Sequence, residues 1–303
     1  MQGACGFCGG GRWCRGCRRR RPAPAPLTPL FLPPQFEFVG DVLVIPADRF
    51  TGPAWEGCGD ALWRALAAAH GATRVARKAE ILRNDPKRKS NVKLLLGADG
   101  RVQVRENGIL FRFDLTRLMF CSGNVTEKMR YASFAAQGET VVDLYAGMGY
   151  YTLPLLVHAG AAKVHACEWN DDACDALLDN LNANGVADRC TVHRGDNAKA
   201  AEAVGPVAHR VSLGLLPTSA AGYATAAAVL NRDTGGWLHV HENVHRAAVE
   251  DGWTDRLVAR LQTCFDDLPG RGWVLEARHV SRVKSYAPRV DHVVVDVECR
   301  PGR

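Results

Sequence analysis

Three acidic residues and one glycine turn carry most of the chemistry that can be read in this sequence. Asp143 closes an apolar run that includes Val141 and Val142, and Leu144-Tyr145-Ala146-Gly147-Met148-Gly149 follows at once. Glycines at 147 and 149 permit positive φ and let the backbone approach a ligand closely. A helix beginning just beyond would present unpaired N–H groups to it. Two ligand classes use such a turn, nicotinamide or flavin dinucleotides and S-adenosylmethionine. The dinucleotide fingerprint needs a small third residue for tight helix–strand packing, whereas Gly147-Met-Gly149-Tyr-Tyr-Thr152 places Thr152 there after two bulky aromatics. The turn therefore favours S-adenosylmethionine. Glu168 ends the next strand-like run, Lys163 to Glu168, 19 residues past Gly149. That distance suits a carboxylate gripping ribose hydroxyls. Asp196, in Gly195-Asp196-Asn197, follows a third run from Cys190 to His193, where a polar turn could read an adenine amino group.

These acids act together only if strands bring them to one edge. Further strands are expected at Val211–Leu216, closed by Pro217, and at Trp237–His241, Val274–Val280 and His292–Cys299. Helices are expected at Asp171–Ala183, Ala220–Leu230 and Thr254–Leu268. Seven strands interleaved with helices imply an α/β, Rossmann-like, doubly wound sheet of the class I S-adenosylmethionine-dependent type, with its ligand at the carboxyl ends of the strands.

Residues 36–114 read as a smaller α/β domain preceding the domain at 115–303. Val39–Ile45 reads as one buried strand, and residues 58–69 as a helix with Leu62, Trp63, Leu66 and Ala69 on one face and Gly71 as C-cap. An Arg/Lys-bearing segment (Thr73–Lys78), a basic loop (Lys87, Arg88, Lys89) and an apolar stretch (Val92–Leu96) follow. Asn107-Gly108 marks a hairpin joining Val102–Val104 to Ile109–Phe113. Between the two domains, Cys121–Asn124 reads as a loop, with Asn124 or Thr126 capping a helix that continues past Lys128.

The net charge of +6 on 303 residues suggests an anionic partner, but six Arg and no acid fall within residues 1–36, and the rest balances at 32 basic against 32 acidic residues. A nucleic-acid reading must therefore rest on local clusters. The same first 35 residues hold Cys5, Cys8, Cys14 and Cys17, yet the five-residue spacing between the two C-x-x-C pairs is far short of the roughly 12–20 of finger and ribbon sites. They read as a disordered Arg/Pro/Cys-rich tail with no metal. Eleven cysteines without a secretory segment point to free thiols and the cytoplasm, and no apolar run is long enough for a membrane span.

Five motifs together, Cys121-Ser-Gly-Asn-Val-Thr-Glu-Lys-Met-Arg130, Asp143-Leu-Tyr-Ala-Gly-Met-Gly149, His165-Ala-Cys-Glu-Trp-Asn170, Gly195-Asp-Asn197 and Lys284-Ser-Tyr-Ala-Pro-Arg289, resemble the tRNA wybutosine-synthesizing protein 2 family. The resemblance runs from about Phe36 to Pro301. It implies transfer of the 3-amino-3-carboxypropyl group of S-adenosylmethionine to the tricyclic 4-demethylwyosine base beside the anticodon of tRNA-Phe, with methylthioadenosine released. It also implies a set of contacts. Cys121, Ser122 and Lys128 would hold the amino-acid arm, with Lys128 on its carboxylate. Asp143 and Gly147 would form the elbow, Glu168 would take the ribose, and Asp196 with Asn197 the adenine. Lys87, Arg88, Lys89, Lys284, Tyr286 and Arg289 would touch tRNA, the cations through phosphate and the Tyr by stacking. A monomer is expected.

Two departures bear on this. The family usually has Ser at the position of Cys121. The related guanine methyltransferases carry an Asn-Pro-Pro-type motif after the fourth strand, where this chain has Leu215-Leu-Pro-Thr-Ser219, which argues against methyl transfer. His239, His241 and His279 are placed where a general base could sit, but core or surface histidines are the better reading of each. A tRNA guanine methyltransferase and a non-catalytic RNA-binding adaptor are the competing readings.

Overall fold

A computed structural model describes residues 36–78, 90–269 and 272–302. The tail at 1–35, with its cysteines, and the basic loop Lys87–Lys89 lie outside the described residues.

The chain opens on a four-stranded sheet in the order β1-β2-β3-β4, made of β1 (Glu37–Val39), β2 (Val42–Ile45), β3 (Arg74–Arg77) and β4 (Lys93–Leu96). A short helix α1 (Pro53–Glu56) and then α2 (Gly59–His70) connect β2 to β3, and α2 ends at Gly71 in the left-handed region, as its position predicts. Leu66 and Ala67 of α2 cover Leu43, Ile45 and Val75 in a small core. The expected single strand Val39–Ile45 is instead a tight hairpin. Gly40 turns at φ 60, and a Cβ there would stand 3.0 Å from the Gln103 carbonyl, so the chain reverses where only glycine fits.

The second hairpin is β5 (Arg101–Glu106) with β6 (Ile109–Asp114), turning at Asn107 (φ 48) and Gly108 (φ 77) as the Asn-Gly pair predicts. Its backbone is fastened to the second half of the chain. Leu110 N–H donates to Asn184 Oδ1 at 2.9 Å and Arg112 N–H to Asn180 Oδ1 at 2.6 Å.

After helix α3 (Val125–Ala132) the large sheet begins. Strands β7 (Thr140–Asp143), β8 (Lys163–Glu168), β9 (Cys190–Arg194), β10 (Arg210–Leu213) and β11 (Gly236–His245) run parallel, and β12 (Trp273–Ala287) and β13 (Val290–Pro301) form an antiparallel edge ribbon. The order is β12-β13-β11-β10-β7-β8-β9. Helices α4 (Thr152–Val157) and α5 (Asp171–Ala183) pack on one face with Val141, Val164 and Ala166. On the other face, α6 (Asn197–Val204), α7 (Tyr223–Val229) and α9 (Trp253–Asp266) cover Val142, Val211 and Leu213, with the short α8 (Arg246–Glu250) before α9. Two cores on two faces are what a doubly wound sheet requires, and the order reverses between β7 and β10, the place where such sheets bind ligands.

Candidate cofactor site

The elbow after β7 is built by hydrogen bonds that leave little freedom. Gly147 (φ 56) and Gly149 (φ 105) both take positive φ, and a Cβ on Gly149 would meet Leu153 and Leu177 side chains at 2.9 and 3.0 Å. The turn thus lies tight on α4 and α5. Asp143 is fully buried and does not offer itself to a ligand. Its oxygens accept from the Thr152 hydroxyl (2.8 Å), the Tyr145 N–H (3.4 Å) and Ser212, so its role is to brace the turn. Burial pushes its pKa up to about 6.

Glu168 decides the ligand class. Its Oε2 accepts the Gly147 N–H at 2.8 Å, while Oε1 accepts the Trp169 and Asn170 N–H groups at 3.0 and 2.8 Å. Burial raises its pKa, and these three backbone donors oppose the rise. A dinucleotide fold spends the glycine-turn N–H on pyrophosphate. Here a carboxylate has taken it, and a second anion would be repelled. The adenosyl group and sulfonium cation of S-adenosylmethionine fit that negative turn. Trp169, half exposed beside Glu168, offers a flat apolar face that the sequence reading did not single out.

Asp196 is exposed at the strand-end edge and caps α6, its Oδ1 accepting from Ala198 N–H at 2.9 Å. Asn197 donates through Nδ2 to the Leu144 carbonyl at 3.2 Å, which ties this turn to the elbow. Asp143, Glu168 and Asp196 therefore meet at one edge, as their strand-end positions imply.

The loop at 121–124 differs from expectation in two respects. It is a single 3-10 turn, Ser122–Asn124, and neither Asn124 nor Thr126 makes a side-chain cap to α3. The Asn124 side chain instead reaches the Tyr151 hydroxyl, and its buried Oδ1 has no partner among the described residues. Ser122 is exposed, and Cys121 N–H donates to the Tyr150 hydroxyl at 3.2 Å.

Two lysines, Lys128 and Lys284, both reach Cys121. Lys128 is buried, its ammonium 2.5 Å from Glu106 of the β5–β6 hairpin and within 5.0 to 5.6 Å of the Phe111, Phe120 and Tyr150 ring centres. It donates to the Cys121 carbonyl at 3.2 Å. Its charge is spent inside the protein. Lys284, expected at the RNA surface, instead puts Nζ 3.0 Å from Cys121 Sγ. Tyr286 is exposed, and Arg289, also exposed, forms the β12–β13 turn at φ 63.

Residues 102–266 match the TRM5/TYW2 methyltransferase domain, and residues 29–100 match the TYW2 N-terminal domain. A mouse protein named tRNA wybutosine-synthesizing protein 2 homolog is 40% identical over 316 residues, spanning 89% of this chain and 70% of its own length. The chain belongs to the tRNA wybutosine-synthesizing protein 2 family. Its fold agrees with the solved structure of P. horikoshii TYW2 in complex with MeSAdo (TM-score 0.71, 27% identity, 89% of this chain and 92% of that one). It also agrees with that of M. jannaschii TYW2 in complex with AdoMet (TM-score 0.68, 24% identity, 88% and 100%). Family membership makes the class I S-adenosylmethionine fold and a tRNA-modifying transferase the frame for the site. The division between the two matched domains falls at residues 100–102, at the start of β5, so the hairpin that is bonded to α5 goes with the methyltransferase domain.

Among the described residues, no helix is long and apolar enough to cross a membrane. A cleft of about 810 Å³ between the β5–β6 hairpin and α5 has none of the elbow residues 143–149 in its lining. Its lining sets Arg101, Arg112 and Arg117 against Asp172, Asp175 and Asp179. Arg117 is already paired with Asp172 at 2.8 Å, so the cleft is not a simple phosphate seat.

Proposed function

We propose that this protein transfers the 3-amino-3-carboxypropyl group of S-adenosylmethionine to the 4-demethylwyosine base next to the anticodon of tRNA-Phe, as a cytoplasmic monomer. The observation that carries the reading is the match of residues 29–100 to the TYW2 N-terminal domain, joined to a methyltransferase domain that the family shares with TRM5. The sequence Leu215-Leu-Pro-Thr-Ser219 supports it. Thr218 Oγ1 donates to Glu242 Oε1 at 2.7 Å and Ser219 Oγ to the His241 carbonyl at 3.1 Å, so this connection turns its polar groups inward.

A sulfonium activates all three attached carbons, so the group transferred is chosen by which carbon is aimed at the nucleophile. Aiming is the task of the residues around the loop. In this reading Glu168 holds the ribose, Trp169 lies against the adenosyl group, and Asp196 with Asn197 reads the adenine. Cys121 and Ser122 line the amino-acid arm. Lys284, whose Nζ lies 3.0 Å from Cys121 Sγ, is assigned its carboxylate, while Lys128 fixes the Cys121 carbonyl. Tyr286 and Arg289 are assigned to the tRNA, as are Lys87, Arg88 and Lys89.

The test is mass spectrometry of tRNA-Phe carrying the tricyclic precursor, incubated with S-adenosylmethionine labelled separately in its methyl and carboxypropyl carbons. Carboxypropyl label in the RNA with methylthioadenosine released is the expected result. Methyl label would make the protein a methyltransferase, and unlabelled RNA would make it an adaptor.

A further inference from the structure

The ribbon that closes the large sheet holds two guanidiniums on one carboxylate. Asp291, near the start of β13 and 5% exposed, accepts from Arg282 of β12 through Nε (2.6 Å) and Nη2 (3.1 Å). It also accepts from Arg246 of α8 through Nε (3.0 Å) and Nη2 (3.1 Å). Both contacts are side-on and bidentate, so the carboxylate's roughly four acceptor positions are filled. Each arginine still has its Nη1 group to offer, and the two side chains are 53% and 58% exposed, Arg246 and Arg282 respectively. No other acid among the described residues pairs with either of them. One guanidinium would neutralise Asp291. The second leaves a net positive charge that repels its twin, and an anion arriving from solvent would relieve that repulsion.

Strand geometry places this pair at the cofactor end of the sheet. The parallel strand β10 ends at Leu213, opposite Val240 of β11, and β11 runs on in the same direction to His245. Those extra residues, at roughly 3.3 Å each, carry the ribbon on the order of 16 Å past the edge where Asp143, Glu168 and Asp196 meet. Arg246 follows at once, its N–H donating to the Arg289 carbonyl at 2.9 Å in the β12–β13 turn. Arg282 precedes Lys284 by two residues on β12, and Lys284 reaches Cys121 Sγ in the loop assigned to the amino-acid arm. Tyr286 and Arg289 stand exposed at the ribbon's tip. The arginine pair therefore lies between the cofactor loop and the tip of the ribbon, on the side of the sheet where substrate must arrive.

We propose that Arg246 and Arg282, held together by Asp291, form a clamp for one phosphodiester of the tRNA backbone beside the base being modified. This inference rests on the tRNA-modifying reading above and names a contact that seats the substrate. Phosphate contacts fix register and orientation, and the flat, weakly hydrated guanidinium suits two phosphate oxygens better than an ammonium does. Single-stranded loops are recognised with their bases splayed out, so the backbone can be gripped separately from the base. Asp291 is a positioning residue. It touches no RNA, but it orders two long side chains before the RNA arrives, which lowers the entropy lost on binding. Tyr286, on the same ribbon, is left free to stack on a base while the clamp holds the strand.

The charge distribution agrees. Hydrogen bonds from Arg282, then from Arg246, hold the Asp291 carboxyl down at about 2, so it is ionised throughout the neutral range and keeps both side chains in place. Between positions 282 and 291 the ribbon carries Arg282, Lys284 and Arg289 against Asp291 alone, and Arg246 adds a fourth cation. In a chain whose charge balances outside its first residues, this is a local cluster of the kind a nucleic-acid reading requires.

Fluorescence anisotropy of labelled tRNA-Phe over a series of KCl concentrations tests the clamp without turnover. Arg246→Ala and Arg282→Ala are each expected to weaken binding by roughly 10-fold or more. Each should also lower the slope of log affinity against log salt by about 0.7, the value of one single-strand phosphate. Affinity for S-adenosylmethionine, read by calorimetry, is expected to stay near the wild-type value. Asp291→Asn separates an ordered clamp from a diffuse basic patch. It adds net positive charge, so a patch would bind tRNA more tightly, whereas a clamp without its brace is expected to bind more weakly. A neutral methylphosphonate moved along the anticodon loop should cost the wild type affinity at a linkage where Arg282→Ala loses nothing further. Unchanged affinity and slope in both alanine variants, or tighter binding by Asp291→Asn, would overturn the clamp. Should Arg282→Ala fail to fold, Arg282→Lys, which keeps the charge but loses the side-on fork, carries the same expectation for affinity. Methyl label from the wild-type protein would sink the aminocarboxypropyl reading, an outcome on which the variant-to-wild-type binding ratios do not depend.

Discussion

Replacing Glu168 separates the elbow's architecture from its ligand. The carboxylate has roughly four acceptor positions, and three are filled by the Gly147, Trp169 and Asn170 N–H groups. The position left over is on Oε2, the oxygen that also holds the glycine turn. Glu168→Ala removes that acceptor and the turn's anchor together. A charge-assisted hydrogen bond is worth roughly 1.5–3 kcal/mol, so binding of S-adenosylmethionine should weaken by roughly 10- to 150-fold. Glu168→Gln is the sharper variant. Its amide oxygen can keep Trp169 and Asn170, but its NH₂ then faces the Gly147 N–H, donor against donor. Calorimetric titration with S-adenosylmethionine, with thermal melts in parallel, should show both variants binding at least about 10-fold more weakly. The Gln variant should melt closer to the wild type than the Ala variant does. Unchanged affinity in both would refute the placement of the adenosyl group at this turn.

Other features give further tests. Lys128→Met strands Glu106 beneath the hairpin and should cost roughly 3–5 kcal/mol in chemical denaturation; a Lys128→Met/Glu106→Gln double variant should recover part of it, and no recovery would show that the pair is not coupled. Asn180→Ala removes the acceptor for Arg112 N–H and the donor to the Met148 carbonyl, and should cost about 2–4 kcal/mol while weakening cofactor binding, because one side chain ties hairpin to elbow. Asp143 has a raised folded pKa of about 6, so the stability it contributes is complete below its unfolded value near 3.8 and is lost as pH rises through about 6. Relative to Asp143→Asn, the wild type should lose roughly 3 kcal/mol between pH 4 and 7; parallel stability curves for the two proteins would contradict this.

How much was legible in the sequence depends on how local each signal is. Strand Lys163–Glu168, helix Asp171–Ala183 and the hairpin around Asn107-Gly108 fall where periodicity and turn chemistry place them, because each is specified by its own side chains. The alignment of Asp143, Glu168 and Asp196 was legible for the same reason: an acid that ends a parallel strand reaches the carboxyl edge whatever its neighbours do. Val39–Ile45 misled because Gly40-Asp41 sits inside an apolar run, and the close approach that keeps position 40 a glycine comes from Gln103, some sixty residues later. The lysines were beyond local reading altogether. Lys128 is claimed by Glu106 from one side and Lys284 arrives at Cys121 from the other, and sequence spacing carries no information about which cation a fold neutralises. The polar residues of β11 belong to the same class. His239, His241 and Asn243 announce one face by their period of two, but only strand order and register set His292 beside them and Tyr131 above them. Long-range pairing decides such contacts, because the free energy that selects it is summed over the whole sheet and both cores rather than over any one stretch of chain.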